Sequence, residues 1–447
     1  MKHLLIFAIA LFLSGSIASQ IDVGGKIKNK VNQRIDQKTD QAIDKTLNET
    51  EEGVKDAAKG DKKSAKEKDK KAGDKADNTG ETNKDSKDAS GNTSTEKPSL
   101  KTYGKFDFVP GERVIVEDNF SQVAVGDFPV EWNTNSSGEI VNVDEKEGKW
   151  LMITKEGVFI PDYITDLPEN FTMQFDVMCN EGFSFYSSAL TFTFAPVTNR
   201  AKLGDFGKFS HPAFGVRVGV HPKDAGGSQG TALIRTWDAS GADLVNNDVK
   251  TLQFHEHTKN HAHVSIWRQK QRLRVYINEE KVFDIPRAFD ATGKYNTMIM
   301  ECGGMHQDQD RFLLSNIRMA VGAPDTRSKL ITEGKFVTHG ILFDSGSDKI
   351  KAESYGALKD IATVLSENAT VKVKIIGHTD SDGDDTSNLE LSKKRSVAVK
   401  EALTKEFAID ASRMETDGKG ESQPTDKNDT SAGKANNRRV EFVKTGG

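Results

Sequence analysis

Val371-Lys372-Val373-Lys374-Ile375-Ile376-Gly377-His378-Thr379-Asp380 is the stretch from which the fold of the last quarter of the chain is read. Val371, Val373 and Ile375 alternate with other residues, the period-two pattern of a half-buried strand, and Gly377 ends the alternation. Downstream, Asn388 to Lys405 reads as a helix. Upstream, Ala352 to Leu365 reads as another, with Leu358, Ile361, Ala362 and Leu365 on one side. Phe336–Phe343, Arg413–Thr416 and Arg439–Lys444 read as further strands, so residues 334–445 are expected to form a βαβαβ-type α/β module of ordinary domain size. Loops that follow parallel strands lie at the carboxyl edge of the sheet, the usual place for a ligand. Asp380 falls in such a loop and Arg395 one or two turns into the following helix, which lets an acid and a base face one pocket.

Five blocks occur in order across this module. They are Ile341-Leu342-Phe343-Asp344-Ser345-Gly346-Ser347, Gly377-His378-Thr379-Asp380, Asn388-Leu389-Glu390-Leu391-Ser392-Lys393-Lys394-Arg395, Gly418-Lys419-Gly420-Glu421 and Asn436-Asn437-Arg438-Arg439-Val440-Glu441. Together they closely resemble the OmpA-like peptidoglycan-binding domain. Ser396 stands where members of that family often have Ala, a small departure. The resemblance implies that Asp380 and Arg395 grip the diaminopimelate of the peptidoglycan stem peptide. It further implies that Asn388, Asp344 and Arg438 line the same pocket, with Thr379 inside the Gly-His-Thr-Asp block. The chemistry suits that ligand. A diaminopimelate whose other end is in the peptide presents an ammonium and a carboxylate on one carbon; Asp380 can accept from the first and the planar guanidinium of Arg395 can donate two parallel bonds to the second. The competing reading is that Asp380 caps the second helix and Arg395 pairs with a surface carboxylate.

Residues 103–321 have a different texture, with short β-prone runs separated by Gly, Asn, Asp and Pro. Gly111–Val116, Trp150–Thr154, Phe171–Cys179, Leu190–Phe194, Phe214–Val220, Leu233–Asp238, Val264–Arg268, Leu273–Ile277, Met298–Cys302 and Phe312–Met319 are the candidate strands. That spacing predicts an antiparallel, jelly-roll-like β-sandwich. The segment His263–Asp284, with strands Val264–Arg268 and Leu273–Ile277, a turn at Asn278-Glu279-Glu280 and then Lys281-Val282-Phe283, resembles paired strands of laminin-G-like and concanavalin-like lectin domains. A membrane β-barrel is the competitor. It requires strands of about ten residues with an uninterrupted apolar face, and Arg268, Lys270, Arg272 and Arg274 crowd one hairpin here. Residues 322–333 read as a linker.

The N-terminal end reads as a targeting segment followed by a tether. Lys2 and His3, the apolar run Leu4–Leu13 and small residues up to Ala18 predict a signal peptide over residues 1–18. The first Cys is Cys179, so a lipoprotein anchor is not expected, and no later run approaches the ~20 apolar residues of a spanning helix. Residues 19–54 carry a thin aliphatic stripe, Ile27, Val31, Ile35, Ile43, Leu47 and Val54, and read as a marginal amphipathic helix. Residues 55–102 read as a disordered charged linker because almost nothing in them can offset the entropy of ordering. A net charge of −5 over 447 residues argues against a nucleic-acid footprint. Cys179 and Cys302 are compatible with one disulfide or with two buried thiols.

Other motifs carry less. Asp380-Ser381-Asp382-Gly383-Asp384-Asp385 resembles a calcium loop, but its Gly is fourth rather than sixth and its twelfth residue is Leu391. The pairs His255/His257 and His261/His263 lack Cys or carboxylate partners at zinc spacing. No nucleophile elbow, zinc-protease or phosphate-loop motif is present, nor the carboxylate pattern of a sandwich glycosidase. The expectation is therefore a non-catalytic envelope protein, without metal or cofactor, located in the periplasm and associated with the outer membrane. It binds peptidoglycan through the C-terminal module, while the sandwich meets a glycan or an outer-membrane protein. The alternative is a polysaccharide-binding or polysaccharide-processing sandwich anchored to the wall by that module.

Overall fold

Alternation in the middle region resolves into two antiparallel sheets in the computed structural model, which describes residues 106–206, 212–322 and 325–446. The expected signal peptide, amphipathic helix and linker at residues 1–102 lie outside the described residues. In chain order the strands are β1 (Arg113–Asp118), β2 (Trp132–Thr134), β3 (Gly138–Asn142), β4 (Lys149–Ile153), β5 (Gly157–Pro161), β6 (Asn170–Cys179), β7 (Leu190–Ala195) and β8 (Gly215–His221). They continue with β9 (Gly230–Trp237), β10 (Asp243–Thr251), β11 (His261–Gln269), β12 (Arg272–Ile277), β13 (Glu280–Ile285), β14 (Thr297–Cys302) and β15 (Phe312–Val321). One sheet runs β13-β12-β11-β6-β15-β4-β3, with β1 also paired to β15; the other runs β10-β9-β8-β7-β14-β5-β2. Both paths end at edge strands, so the described strands form two open sheets and not a closed cylinder.

Phe171, Met173, Phe175 and Val177 of β6 point to one side and meet Phe192 and Phe194 of β7 in a single core. The Phe175 and Phe192 rings lie 4.2 Å apart between centroids, which locks the two sheets face to face. The crowded arginines of the β11–β12 hairpin are all engaged. Arg268 is buried over the rings of Phe289 and Tyr295, while Arg272 and Arg274 both reach Asp284. The turn between β12 and β13 is tighter than the sequence reading, with Glu280 already in a strand and Asn278 in the left-handed region at φ 50°. Cys179 and Cys302 are free and buried, and burial, with the nearby Glu301 and Glu156, pushes the Cys302 thiol up to about 12. Of the histidine pairs, His263 is bonded to Asp176 at 2.7 Å and His261 packs against Trp150, and no group of ligands for a metal occurs among the described residues.

The C-terminal module contains β16 (Lys335–Thr338), α1 (Tyr355–Glu367), β17 (Lys372–Gly377), α2 (Asp385–Phe407), β18 (Met414–Gly418), α3 (Ser431–Asn437) and β19 (Val440–Gly446). Its sheet runs β16-β19-β17-β18, with β17 and β18 parallel and the other pairs antiparallel. The expected strand Phe336–Phe343 stops at Thr338. There the Thr338 hydroxyl accepts from the Gly340 N–H and the His339 ring meets the carbonyl of Asn436, which turns the chain out of the sheet. A short helix, α3, precedes the last strand, an element the βαβαβ reading did not contain. No helix among the described residues is long and apolar enough to cross a membrane.

The outer face of the β11–β12 hairpin is covered rather than solvated. Phe106 and Phe108 pack edge-on against Tyr276, and Phe108 against Trp267, with Tyr355 of α1 closing the cluster. A Cβ at Gly356 would overlap the Phe108 carbonyl, so a glycine is required for α1 to approach this closely. Asn436 of α3 accepts from the Val114 N–H and donates to the Val114 carbonyl, both at 2.9 Å, and Lys329 pairs with Glu112 at 2.6 Å. The sandwich and the C-terminal module are thus joined by an apolar wedge and a set of buried polar contacts.

Candidate functional site

The site lies where β17 and β18 end side by side, with Gly377 opposite Gly418. A Cβ at either glycine would run into Ser392 of α2, so the pair lets that helix press directly on the strand ends. The helix begins with Asp384 as its cap, whose carboxylate accepts from the Ser387 N–H at 3.0 Å. Capping is therefore done by Asp384, and the carboxylate of Asp380 has other partners. One of its oxygens accepts from the Asp382 N–H at 3.2 Å and the other from Arg438 at 2.5 Å.

Arg395 sits nearly three turns into α2, deeper than the sequence suggested, and is 9% exposed. Its Nε donates to the Ser347 carbonyl at 2.9 Å and its guanidinium lies 4.8 Å from the centre of the Phe343 ring. Burial, and then the neighbouring Arg438 charge, lower its pKa, while Asp380 acts in the opposite sense. An arginine stays protonated through such a shift, so Arg395 presents a cation whose contacts are carbonyls and a ring face rather than a carboxylate.

Asn388 is buried and holds the loop: its amide donates to the carbonyl of Asp382 at 3.0 Å and to Glu421 at 2.5 Å, with a longer bond to the carbonyl of Asp380. Thr379 is also buried; its N–H donates to the Gly420 carbonyl, and its hydroxyl has no partner among the described residues. Asp344 does not join this group by its side chain. It pairs with Lys349 at 3.0 Å and lines a separate groove with Tyr355 and Glu406, leaving only its carbonyl, 3.5 Å away, for Arg395. A cavity of about 80 Å³ is walled by Phe343, His378, Arg395, Arg438 and Arg318.

Two of these contributors were not anticipated. Phe343 lay inside a quoted block without a role, and Arg318 comes from β15 of the sandwich. Glu117 of β1 joins them, 3.3 Å from Arg438 and 3.5 Å from Arg318. Arg439, also on the cavity wall, is already paired with Glu441 at 2.8 Å.

The module that carries this site is OmpA-like: residues 342–438 match the OmpA family. Among individual proteins, the chain is 38% identical over 101 residues to outer membrane porin F of Pseudomonas aeruginosa, a match covering 23% of this chain and 29% of the porin. It is 41% identical over 105 residues to the probable lipoprotein YiaD of Escherichia coli, covering 24% of this chain and 48% of YiaD. The chain thus spans less than half the length of these relatives. A solved structure of the peptidoglycan-associated lipoprotein from Burkholderia pseudomallei is 28% identical and covers 24% of this chain and 88% of that one, with a TM-score of 0.22.

Proposed function

We propose that this chain is a non-catalytic protein of the periplasm, associated with the outer membrane, whose C-terminal module holds the diaminopimelate of the peptidoglycan stem peptide and so ties an envelope component to the wall. The observation that carries this reading is the placement of two buried, opposite charges, not bonded to each other, at one sheet edge: Asp380, with an oxygen bonded only to a backbone N–H, and Arg395, with no carboxylate within ion-pair distance among the described residues. An ammonium can join Asp380, and the carboxylate on the same carbon can take the guanidinium of Arg395. Asn388 then acts by fixing the loop, Arg438 by orienting Asp380, and Thr379 by its backbone bond to Gly420, which holds the loop against the end of β18. Asp344 shapes the site through its carbonyl.

Pull-down of the full chain on purified cell wall tests the reading. Asp380→Ala and Arg395→Ala are each expected to reduce retention by about a hundredfold, the cost of truncating one member of a buried charged contact, with circular dichroism unchanged. Full retention by both variants would remove the site.

A second reading gives the sandwich a lectin-like role. Phe185 and Tyr186 are exposed and pack against His221 and His306, an aromatic surface of the kind on which sugar rings stack. Binding of the full chain to a glycan array, lost on Tyr186→Ala while cell-wall retention persists, supports it.

A further inference from the structure

Arg318 reaches the cavity beside Arg395 because of a single extra residue in β15. Phe312 and Leu314 point into the hydrocarbon core, so strict alternation would send Arg318 there as well. Instead β15 uses three steps, from Ser315 to Arg318, where β6 uses two, from Asp176 to Gln174, and Asn316 takes φ 53°. This bulge resets the faces: Ile317 and Met319 enter the core and Arg318 turns toward the C-terminal module. Its guanidinium donates to the His339 carbonyl at 3.1 Å and lies 3.5 Å from Glu117, yet its buried Nε has no hydrogen-bond partner.

The charges around the cavity do not balance locally. Four guanidinium groups line it; Arg439 is paired with Glu441, and for the other three, Arg318, Arg395 and Arg438, the carboxylates in contact are Asp380 and Glu117. Burial weighs against the Arg318 charge, Glu117 favours it, and Arg438 opposes it. The cavity also shares Arg318, Leu342, Phe343 and Arg438 with a neighbouring cleft of about 200 Å³, whose far side is Asp176 and His263 of the sandwich. The small cavity is lined by Arg395, with Asp380 behind Arg438, so it suits the carboxylate of an amino-acid end, and the cleft suits the chain that leads to it.

We propose that Arg318 of the sandwich is a specificity-determining residue of the wall-peptide site, taking a second carboxylate of the stem peptide beside the amino-acid end held by Asp380 and Arg395. This rests on the function proposed above. It makes the site a joint product of both folded regions, with Glu117 orienting Arg318 and Arg438 toward the ligand.

The test is calorimetric titration of the full chain with the tripeptide Ala-γ-D-Glu-diaminopimelate. A second titration uses the same tripeptide amidated at its two carboxylates outside the zwitterionic end. The unmodified chain is expected to bind the amidated form about tenfold more weakly, the loss of one charge-assisted contact. Arg318→Gln should bind both forms with that weaker affinity, and Arg318→Lys, which keeps the charge, should retain part of the discrimination. Equal binding of the two forms by the unmodified chain overturns the proposal whether or not a variant folds, as does full discrimination by Arg318→Gln. If the unmodified chain fails to bind the free tripeptide at all, the wall-binding reading itself has failed.

Discussion

The two folded regions of this molecule distribute their buried charges differently. The sandwich encloses a core of aromatic and aliphatic side chains and places its buried charges, Asp224, Glu256, Arg268, Glu301, Asp310 and Arg318, on separate loops and strands around it, whereas the C-terminal module gathers Asp380, Arg395, Arg439 and Glu441 next to one sheet edge. Hydrocarbon burial is non-directional, so the sandwich gains stability from volume and fit. Buried charges demand partners at fixed positions. The module therefore pins its side chains in place, as the proposed recognition of a small zwitterion requires.

Three measurements bear on that contrast. The largest effect is expected from Phe175→Ala, which removes one of the two stacked rings that join the sheets and should cost about 3–5 kcal/mol in chemical unfolding; a cost below 1 kcal/mol would mean that the sheets do not depend on this contact. Asn436→Ala comes next. It strips both bonds to the Val114 backbone and should cost about 2 kcal/mol. Calorimetry is expected to split one unfolding transition into two as the module separates from the sandwich; an unchanged single transition would show that the apolar wedge and the remaining polar contacts suffice to couple them.

The smallest effect concerns His263. Burial opposes its charge, but the bond and charge of Asp176 outweigh burial and raise its pKa above the ordinary 6.5. For Asp176, burial is likewise outweighed by His263, and its pKa falls below 3.8. A raised base contributes stability that is complete below 6.5 and disappears as pH climbs through the raised value. A depressed acid contributes above 3.8 and loses its contribution as pH falls through the depressed value. Urea unfolding should therefore give greatest stability between these limits. A decline of about 1 kcal/mol is expected on the alkaline side, and it should vanish in His263→Gln.

How much of this was legible in the sequence depends on what each element rests on. Strands such as β6 and β11 alternate strongly because one face meets the core, and they were readable. The polar strand β10 was not: it lies at a sheet edge, pairs only with β9 and is mostly exposed, so no hydrophobic period marks it. Helix α3, seven residues long with one strongly apolar contact through Ala435, leaves as little trace. In the site, Asp380, Asn388, Arg395 and Arg438 were named from their blocks, and all four fall at one sheet edge. Asp344 was named too, yet Lys349 draws its side chain aside. Arg318 could not be found, because its direction is decided by a bulge two residues earlier and its partners are distant in the chain.

The wedge Phe106–Pro110 also has a mechanical meaning. If the wall holds the module and a load arrives from the N-terminal side, the pull enters at Phe106, between the sandwich and α1, before it reaches any sheet. The next strand, β1, runs antiparallel to β15 with Arg113 opposite Val321, so a pull on the start of β1 against the exit of β15 toward the module would open that ladder one rung at a time. The seam between the two regions would thus take the tension before that ladder does.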